Sequence, residues 1–428
     1  MDRREFMKNV GMAGGLATGL SALGGLGAGL ARADHHGAHA AAAGAGSAGT
    51  AANGTASRQG MQAILDAIRE VETTMLTAEK GFTDPAELAE AERAIGHILH
   101  TGLEFWLEAD LDRPVFKPYV TPTRKLLGCN PDSLYYFAAI RPDKTYRITG
   151  SVGAATFTSF TVEAGSKDGH AARGSTGALG DDEMEINSDG SYEIIASQTK
   201  PAKGNWLQLG PDSSQITTRH YHESRQSVAT IPGRVIPISI EVLDPAPLVP
   251  NRGDAQYAER LQAVANFVRE HSAMTFRKTT PEMAKALAWT SIVPNQFNPA
   301  GQWRGAAGQN AYGNMHAWYA SANYALAPDE ALVITGRFPE CRFANIVLWN
   351  SFMQSFDYAN RQISLNRNQI VYEKDGSYRI VVAHRDPGVP NWLDTEGRAK
   401  GHMYWRYLFP ASAPGKPKTR VVKVDSLA

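Results

Sequence analysis

The feature that most constrains this fold is that the chain repeats itself at one fixed distance. Pro142-Asp143 recurs as Pro328-Asp329, Ile148-Thr149-Gly150 as Ile334-Thr335-Gly336, Asp189-Gly190-Ser191-Tyr192 as Asp375-Gly376-Ser377-Tyr378, and Asn205-Trp206 as Asn391-Trp392, each 186 residues later. Matches that share one register imply two copies of one structural unit. Around them, short apolar and aromatic runs such as "KTYRITGSVGAATFTSFTVEAG" and "DGSYEIIAS" are broken by Gly, Pro, Asp and Asn, the pattern of strands and tight turns. The chain is therefore expected to be mainly β, with tandem antiparallel, jelly-roll-like β-sandwich units at 115–250 and 296–428.

Helical periodicity appears outside these blocks. In the segment 60–114, Ile64, Ile68, Val71 and Met75 form one apolar stripe. A second helix there opens on Asp84, Pro85 and Glu87, a cap, a first-turn proline and the acid of a capping box, and runs to Leu107. A helical connector at 251–295 carries Tyr257, Leu261, Val264 and Val268 on one face.

The N-terminus specifies export. Arg3-Arg4 precede Glu5-Phe6-Met7-Lys8 and a weakly apolar run from Gly11 to Ala31, which reads as a twin-arginine signal peptide over 1–33, cut after Ala31-Arg32-Ala33. The run is too rich in Gly and Ala for a stable membrane span. The expected location is the periplasm, reached already folded, with no integral membrane segment in the mature form. Residues 34–59, mostly Ala, Gly and Ser, read as a disordered linker, and its Asp34-His35-His36 start could chelate copper or nickel. With 43 basic and 43 acidic residues the chain carries no charge footprint for nucleic acid. Cys129 and Cys341 allow at most one bridge, and two buried thiols are the simpler expectation.

Residues kept in both copies are explained by the shared fold, so chemistry is sought where the copies differ. Subtracting 186, His384 faces Gln198, Asp386 faces Lys200, Asp394 faces Gln208 and Arg406 faces His220, so that the second copy alone gathers a histidine with acids and an arginine. His384 and Asp386 at strand spacing suit a general base and its orienting partner; Arg406 suits an anion. With Asp394 they form the expected catalytic set. Trp349, Asn345, Asp357 and Arg385, near Asn350 and Gln354, suit a polyhydroxylated ligand stacked on the ring. The competing reading is a salt-bridge network that pins a loop, with Trp349 in the core. Two further sets could ligate metal, His97, His100 and Glu104 on one helix face, and His220 and His222 beside Glu223, although polar residues at the rim of a packed helix explain the first more simply and the second is a weak signal. No nucleophile elbow, zincin motif or phosphate loop is present.

The stretches "TPTRKLLGCNPDSLYY", "GNWLQLGPD", "SLNRNQIVYEKDGSYRIVVAHRDPGVPNWLDTEG" and "YWRYLFP" resemble the domain-of-unknown-function family numbered 1214 (DUF1214), over most of residues 115–425. The resemblance implies an antiparallel jelly-roll-like architecture and no assigned chemistry. Cys129 stands where the family pattern has an acid, and no segment resembles the 1254-type domain that often neighbours it. Three functional readings follow: a periplasmic hydrolase- or lyase-like enzyme acting on a small polar or carbohydrate-like molecule, a non-catalytic glycan- or ligand-binding protein, and, more remotely, a metal-dependent oxidoreductase. Cofactor, metal and oligomeric state are left open by the residues.

Overall fold

The computed structural model describes residues 54–427 except 166, 246–247, 249–251 and 303–311. The twin-arginine segment, the Asp34-His35-His36 start and most of the linker lie outside the described residues. The linker's expected end at 59 overruns a helix: Thr55 caps α1 (Ala56–Thr74) with its hydroxyl accepting from Arg58 N, so helix begins at Ala56. Asp84 caps α2 (Pro85–Gly102) by accepting from Ala86 N at 3.0 Å, and a π-helical turn at Leu103–Leu107 continues it. The connector forms α3 (Asp254–Thr275) and the short α4 (Pro281–Ala286).

The first β unit holds β1 (Ser133–Ala139), β2 (Tyr146–Ser151), β3 (Phe157–Ala164), β4 (Gly174–Gly180), β5 (Ser191–Ser197), β6 (Asn205–Gln208), β7 (Ser213–Tyr221) and β8 (Ile238–Val242). The second holds β9 (Ala317–Ala325), β10 (Glu330–Gly336), β11 (Phe343–Trp349), β12 (Ser364–Asn366), β13 (Tyr378–Ala383), β14 (Trp392–Asp394), β15 (Lys400–Leu408) and β16 (Lys418–Lys423). In the first unit the sheets run β1-β7-β3-β4 and β6-β5-β2-β8; in the second, β9-β15-β11-β12 and β14-β13-β10-β16. The eight strands of each unit are arranged in the same order, with a parallel pair at the same place, β5 with β6 and β13 with β14, while short edge strands differ: Lys117–Pro118 lies antiparallel to β1, and Thr290–Ser291 and Gly301–Gln302 lie parallel and antiparallel to β9. Each unit is a two-sheet sandwich. Ala138, Phe160, Val162 and Ile216 of one sheet meet Ile148, Ile194 and Leu207 of the other, and Ala322, Ile346, Met403 and Trp405 meet Ile334, Ile380 and Leu393 in the second copy.

The repeated motifs are the parts that turn and close these sandwiches. Asp189 Oδ1 accepts from Ser191 N at 2.9 Å and Asp375 Oδ1 from Ser377 N at 3.0 Å, around glycines at φ 82° and 80°. The tyrosine of each motif needs the glycine of another: a Cβ on Gly150 would meet Tyr192 OH at 2.3 Å, and one on Gly336 would meet Tyr378 OH at 2.5 Å. Asn205 Nδ2 donates to Glu185 O and Glu193 O, and Asn391 Nδ2 to Val371 O and Arg379 O, the same bonds one copy on. The adjoining indoles donate to Ser197 O and Ala383 O at 3.1 and 3.0 Å.

The first unit turns the outer face of its β1-β7-β3 sheet toward two neighbours. At one end Phe137 and Ala139 pack with Phe105, Trp106 and α3. At the other, Phe157 and Tyr221 pack with Ala317, Tyr319, Phe343 and Leu408 from the outer face of the second unit's β9-β15-β11 sheet. Buried polar ties reinforce the contact: Asp132 accepts from Asn345 and Asn366 at 2.9 and 3.0 Å, and Glu223 pairs with Arg367. Cys129 and Cys341 are both free thiols, Cys129 with its sulfur 2.9 Å from Ser355 Oγ. Among the described residues no helix is long and apolar enough to cross a membrane.

Candidate functional site

Strand β13 ends at Ala383, so His384 and Asp386 do not alternate along one strand as the spacing suggested. His384 leaves the sheet with Nδ1 2.6 Å from Thr395 Oγ1 and Nε2 3.3 Å from Leu326 O. Asp386 is exposed and accepts from Gly388 N, closing its own turn. Arg385 pairs with Asp425 at the surface. Asp394 is buried, with one carboxyl oxygen accepting from Arg361 Nη1 at 2.8 Å and the other from Glu396 N at 2.7 Å. Asp357 likewise accepts from Ala359 N and Asn360 Nδ2 within its loop, while Asn350 Oδ1 accepts from Phe352 N and Gln354 N. Asp386, Asp394, Asp357 and Asn350 each accept from backbone N–H groups of their own turns, His384 and Arg385 bond elsewhere, and none of them bonds to Arg406.

The proposed metal sets separate in the same way. His97 is buried and accepts from Lys125 N at 3.2 Å, His100 is exposed, and Glu104 pairs with Arg124. His220 lies in the first sandwich core between the hydroxyls of Thr158 and Thr218, whereas Glu223 turns to Arg367 and Ala344 N. Among the described residues no group of three His, Cys, Asp or Glu is arranged to hold a metal ion.

Arg406 stands in the middle of β15, and its rung of the ladder corrects the alignment of the two copies. Its neighbours across the strands are Tyr319 and Asn345; those of Arg219 on β7 are Tyr135 and Ser159. Arg406 is therefore the counterpart of Arg219, not of His220. The offset becomes 187 because residues 395–399 join β14 to β15, one residue more than 209–212 between β6 and β7. Alternation does the rest. In "HMYWRYL", Met403, Trp405 and Tyr407 enter the sandwich core, so His402, Tyr404 and Arg406 project from the outer face with Trp349, Asn345 and Tyr319.

On the facing surface, Tyr135, Arg219, Tyr221 and Glu163 project from β1, β7 and β3. The result is a buried centre between the units, rich in phenols, with two guanidinium groups. Arg219 donates from Nη1 to Thr161 Oγ1 at 2.8 Å and from Nη2 to Tyr312 O at 3.0 Å, and lies 4.0 Å from Glu163. Glu163 Oε1 accepts from Tyr312 N at 3.1 Å, while Oε2 is buried without a partner. Burial pushes the Glu163 carboxyl up to about 7, against the pull of Arg219 and the Tyr312 N–H. Tyr312 OH accepts from Ala172 N and lies 3.4 Å from His271 Nε2, whose imidazole burial lowers to about 4.

Arg406 donates from Nη2 to Gly128 O at 2.6 Å and lies over the rings of Tyr404 and Trp349, 4.7 and 5.1 Å from their centroids. Trp349 is itself enclosed. Its Nε1 donates to Cys129 O, Tyr404 stacks on it at 4.3 Å, and a Cβ on Gly128 would lie 2.6 Å from its ring. The indole therefore offers no free face for a sugar, and Asn345 spends its amide on Asn130 and Asp132. Tyr135, Tyr404 and His402 differ from the core residues around them. Burial raises both phenols above their ordinary value and lowers His402 to about 4, yet all three side chains keep part of their surface open.

Of the residues the sequence singled out, the fold brings Arg406, Trp349 and Asn345 together and leaves His384, Asp386, Asp394, Asp357 and Arg385 outside. Glu163, Arg219 and the tyrosines carried no motif. Their signal was the alternation of polar and apolar residues in "TTRHY" and "HMYWRYL", legible once one residue is allowed between the copies.

The family model described as "Protein of unknown function (DUF1214)" matches twice, over residues 138–225 and 322–412, once in each β unit. A solved structure of an uncharacterised protein from Burkholderia cenocepacia is 30% identical, superposes with a TM-score of 0.72, and is matched over 87% of this chain and 97% of its own. The chain belongs to the DUF1214 family. A Vibrio parahaemolyticus protein is also similar to this DUF1214 chain, at 13% identity and a TM-score of 0.44, over 79% of this chain and all of its own. No curated protein matches.

Proposed function

We propose that this DUF1214 protein is exported to the periplasm and binds a small polar molecule in the centre between its two β units. One observation carries the reading: Tyr135 and Tyr404 lie against the buried Tyr221, Tyr319, Trp349 and Arg406 and yet keep part of their surface open. Groups in a close-packed core have no open surface and groups on a convex surface keep their hydration, so this combination belongs to the lining of a recess. The twin-arginine pattern at Arg3-Arg4 supports the location. Two measurements test the proposal. Protein purified from periplasm, denatured and extracted, releases a small molecule identifiable by mass spectrometry; empty protein whose melting temperature responds to no small polar molecule refutes the binding reading. Arg3→Lys together with Arg4→Lys keeps the chain in the cytoplasm, and unchanged export refutes the route.

Turnover at the same centre is the second reading, hydrolase- or lyase-like, and Glu163 favours it. A carboxyl held near neutrality, with one oxygen unpartnered, suits proton transfer. Under this reading Glu163→Gln retains the bound molecule and no longer converts it, whereas recovery of the same unaltered molecule from the unmodified chain after long incubation favours binding alone.

A further inference from the structure

We propose that the molecule held in this centre is a small carboxylate whose charge pairs with Arg406, a proposal that rests on the binding reading above. The duplication supplies an internal comparison. Arg219 and Arg406 occupy one rung of the same ladder, and each is more than nine-tenths buried. The first copy gives its arginine an acid, Glu163 on β3, and two further acceptors. In the second copy Trp349 stands at the position equivalent to Glu163, and the arginine receives one backbone carbonyl and the faces of two rings.

Its Nη1 is buried with no partner, and the groups acting on its charge are the phenols of Tyr135, Tyr404, Tyr221 and Tyr319. Burial and mutual proximity raise the phenols of Tyr135, Tyr319 and Tyr404 above their ordinary value, so these do not neutralise it. A desolvated guanidinium without a counter-ion is among the least favourable arrangements a protein interior can hold. The missing partner is then the ligand. One uncompensated positive charge and one free N–H edge suit a single planar carboxylate, with the part-open Tyr135 and Tyr404 beside it as further donors.

The test uses the unaltered chain with formate, acetate, propionate and benzoate, each beside its amide and sodium chloride at matched ionic strength, with inorganic phosphate and glucose as further probes. The expected result is a concentration-dependent rise in melting temperature with one or more acids and none with the corresponding amides. Arg406→Gln then weakens the response about 10- to 100-fold, the range of one charge-assisted hydrogen bond. If that variant does not fold, the acid-against-amide comparison decides alone. Equal responses to acid and amide, or a response to glucose only, overturn the carboxylate and leave the binding reading intact. A larger response to phosphate than to every acid overturns it in favour of another anion. No response to any acid above the chloride control also overturns it, and if the protein also releases no molecule on denaturation, the binding reading falls with it.

Discussion

Glu163→Gln gives the centre a quantitative signature. The carboxyl is fully buried, and its burial raises it from 4.5 to about 7. A carboxyl whose folded value is raised favours the folded state while protonated; that contribution is complete below 4.5 and is lost as pH rises through 7. Glutamine has the same shape, keeps the acceptor for Tyr312 N and does not titrate. At about 1.4 kcal/mol per pKa unit the full penalty is about 3.4 kcal/mol, of which about 2.5 kcal/mol develops between pH 5 and pH 8. Urea unfolding of both chains at pH 5, 6, 7 and 8 measures the difference between them. Fixed effects of the substitution, such as the altered contact with Arg219, shift that difference equally at every pH, and the buried histidines common to both chains cancel. The expected result is that the unmodified chain loses about 2.5 kcal/mol relative to Glu163→Gln across this range. A difference that stays constant within about 0.5 kcal/mol refutes a desolvated, titrating Glu163 and removes the support for its role in turnover.

Three further outcomes follow from the same geometry. His222 is buried with Nε2 unpartnered, and burial lowers it to about 4 from 6.5. The stability it contributes is therefore present above 6.5 and lost as pH falls, and His222→Leu should spare about 2.5 kcal/mol of the loss between pH 7 and pH 4.5, read by urea unfolding. Gly128 combines φ 78° with a would-be Cβ 2.6 Å from Trp349. Gly128→Ala should cost about 2–4 kcal/mol from backbone strain and overpacking, and a loss under 1 kcal/mol refutes the enclosure of the indole. His384→Ala removes bonds to Thr395 and Leu326 and should cost about 1–2 kcal/mol while leaving any acid-induced shift in melting temperature unchanged. Loss of that response would return the histidine to the site.

What was legible in the sequence was what is local. Asp-Gly turns, the Asn-Trp pair and the Ile-Thr-Gly strand recur because each is a short-range solution to closing a sandwich, and Gly150 and Gly336 are fixed by the tyrosine each must accommodate. His384, Asp386 and Asp394 look like a catalytic set because only the second copy gathers them. They are concentrated there because a bent connection must satisfy many backbone groups: Asp386 and Asp394 accept from the N–H groups of their own turns and His384 Nε2 lies 3.3 Å from Leu326 O.

The centre was hidden for a different reason, which also argues for its being a site. It is assembled from one to three residues on each of six strands, from Tyr135 to Arg406, 271 positions apart, so no window of sequence contains it. Comparison of the copies at a constant 186 set Arg406 against a core histidine and concealed that both units place an arginine on the same rung. With the register corrected, the difference that matters is between Glu163 and Trp349. One copy answers its buried charge from within, and the other replaces the acid with an indole that packs beside the guanidinium without neutralising it. A fold duplicated only for stability gains nothing from removing that acid, because an unpaired buried arginine weakens it. The asymmetry is accounted for when the negative charge arrives with a ligand.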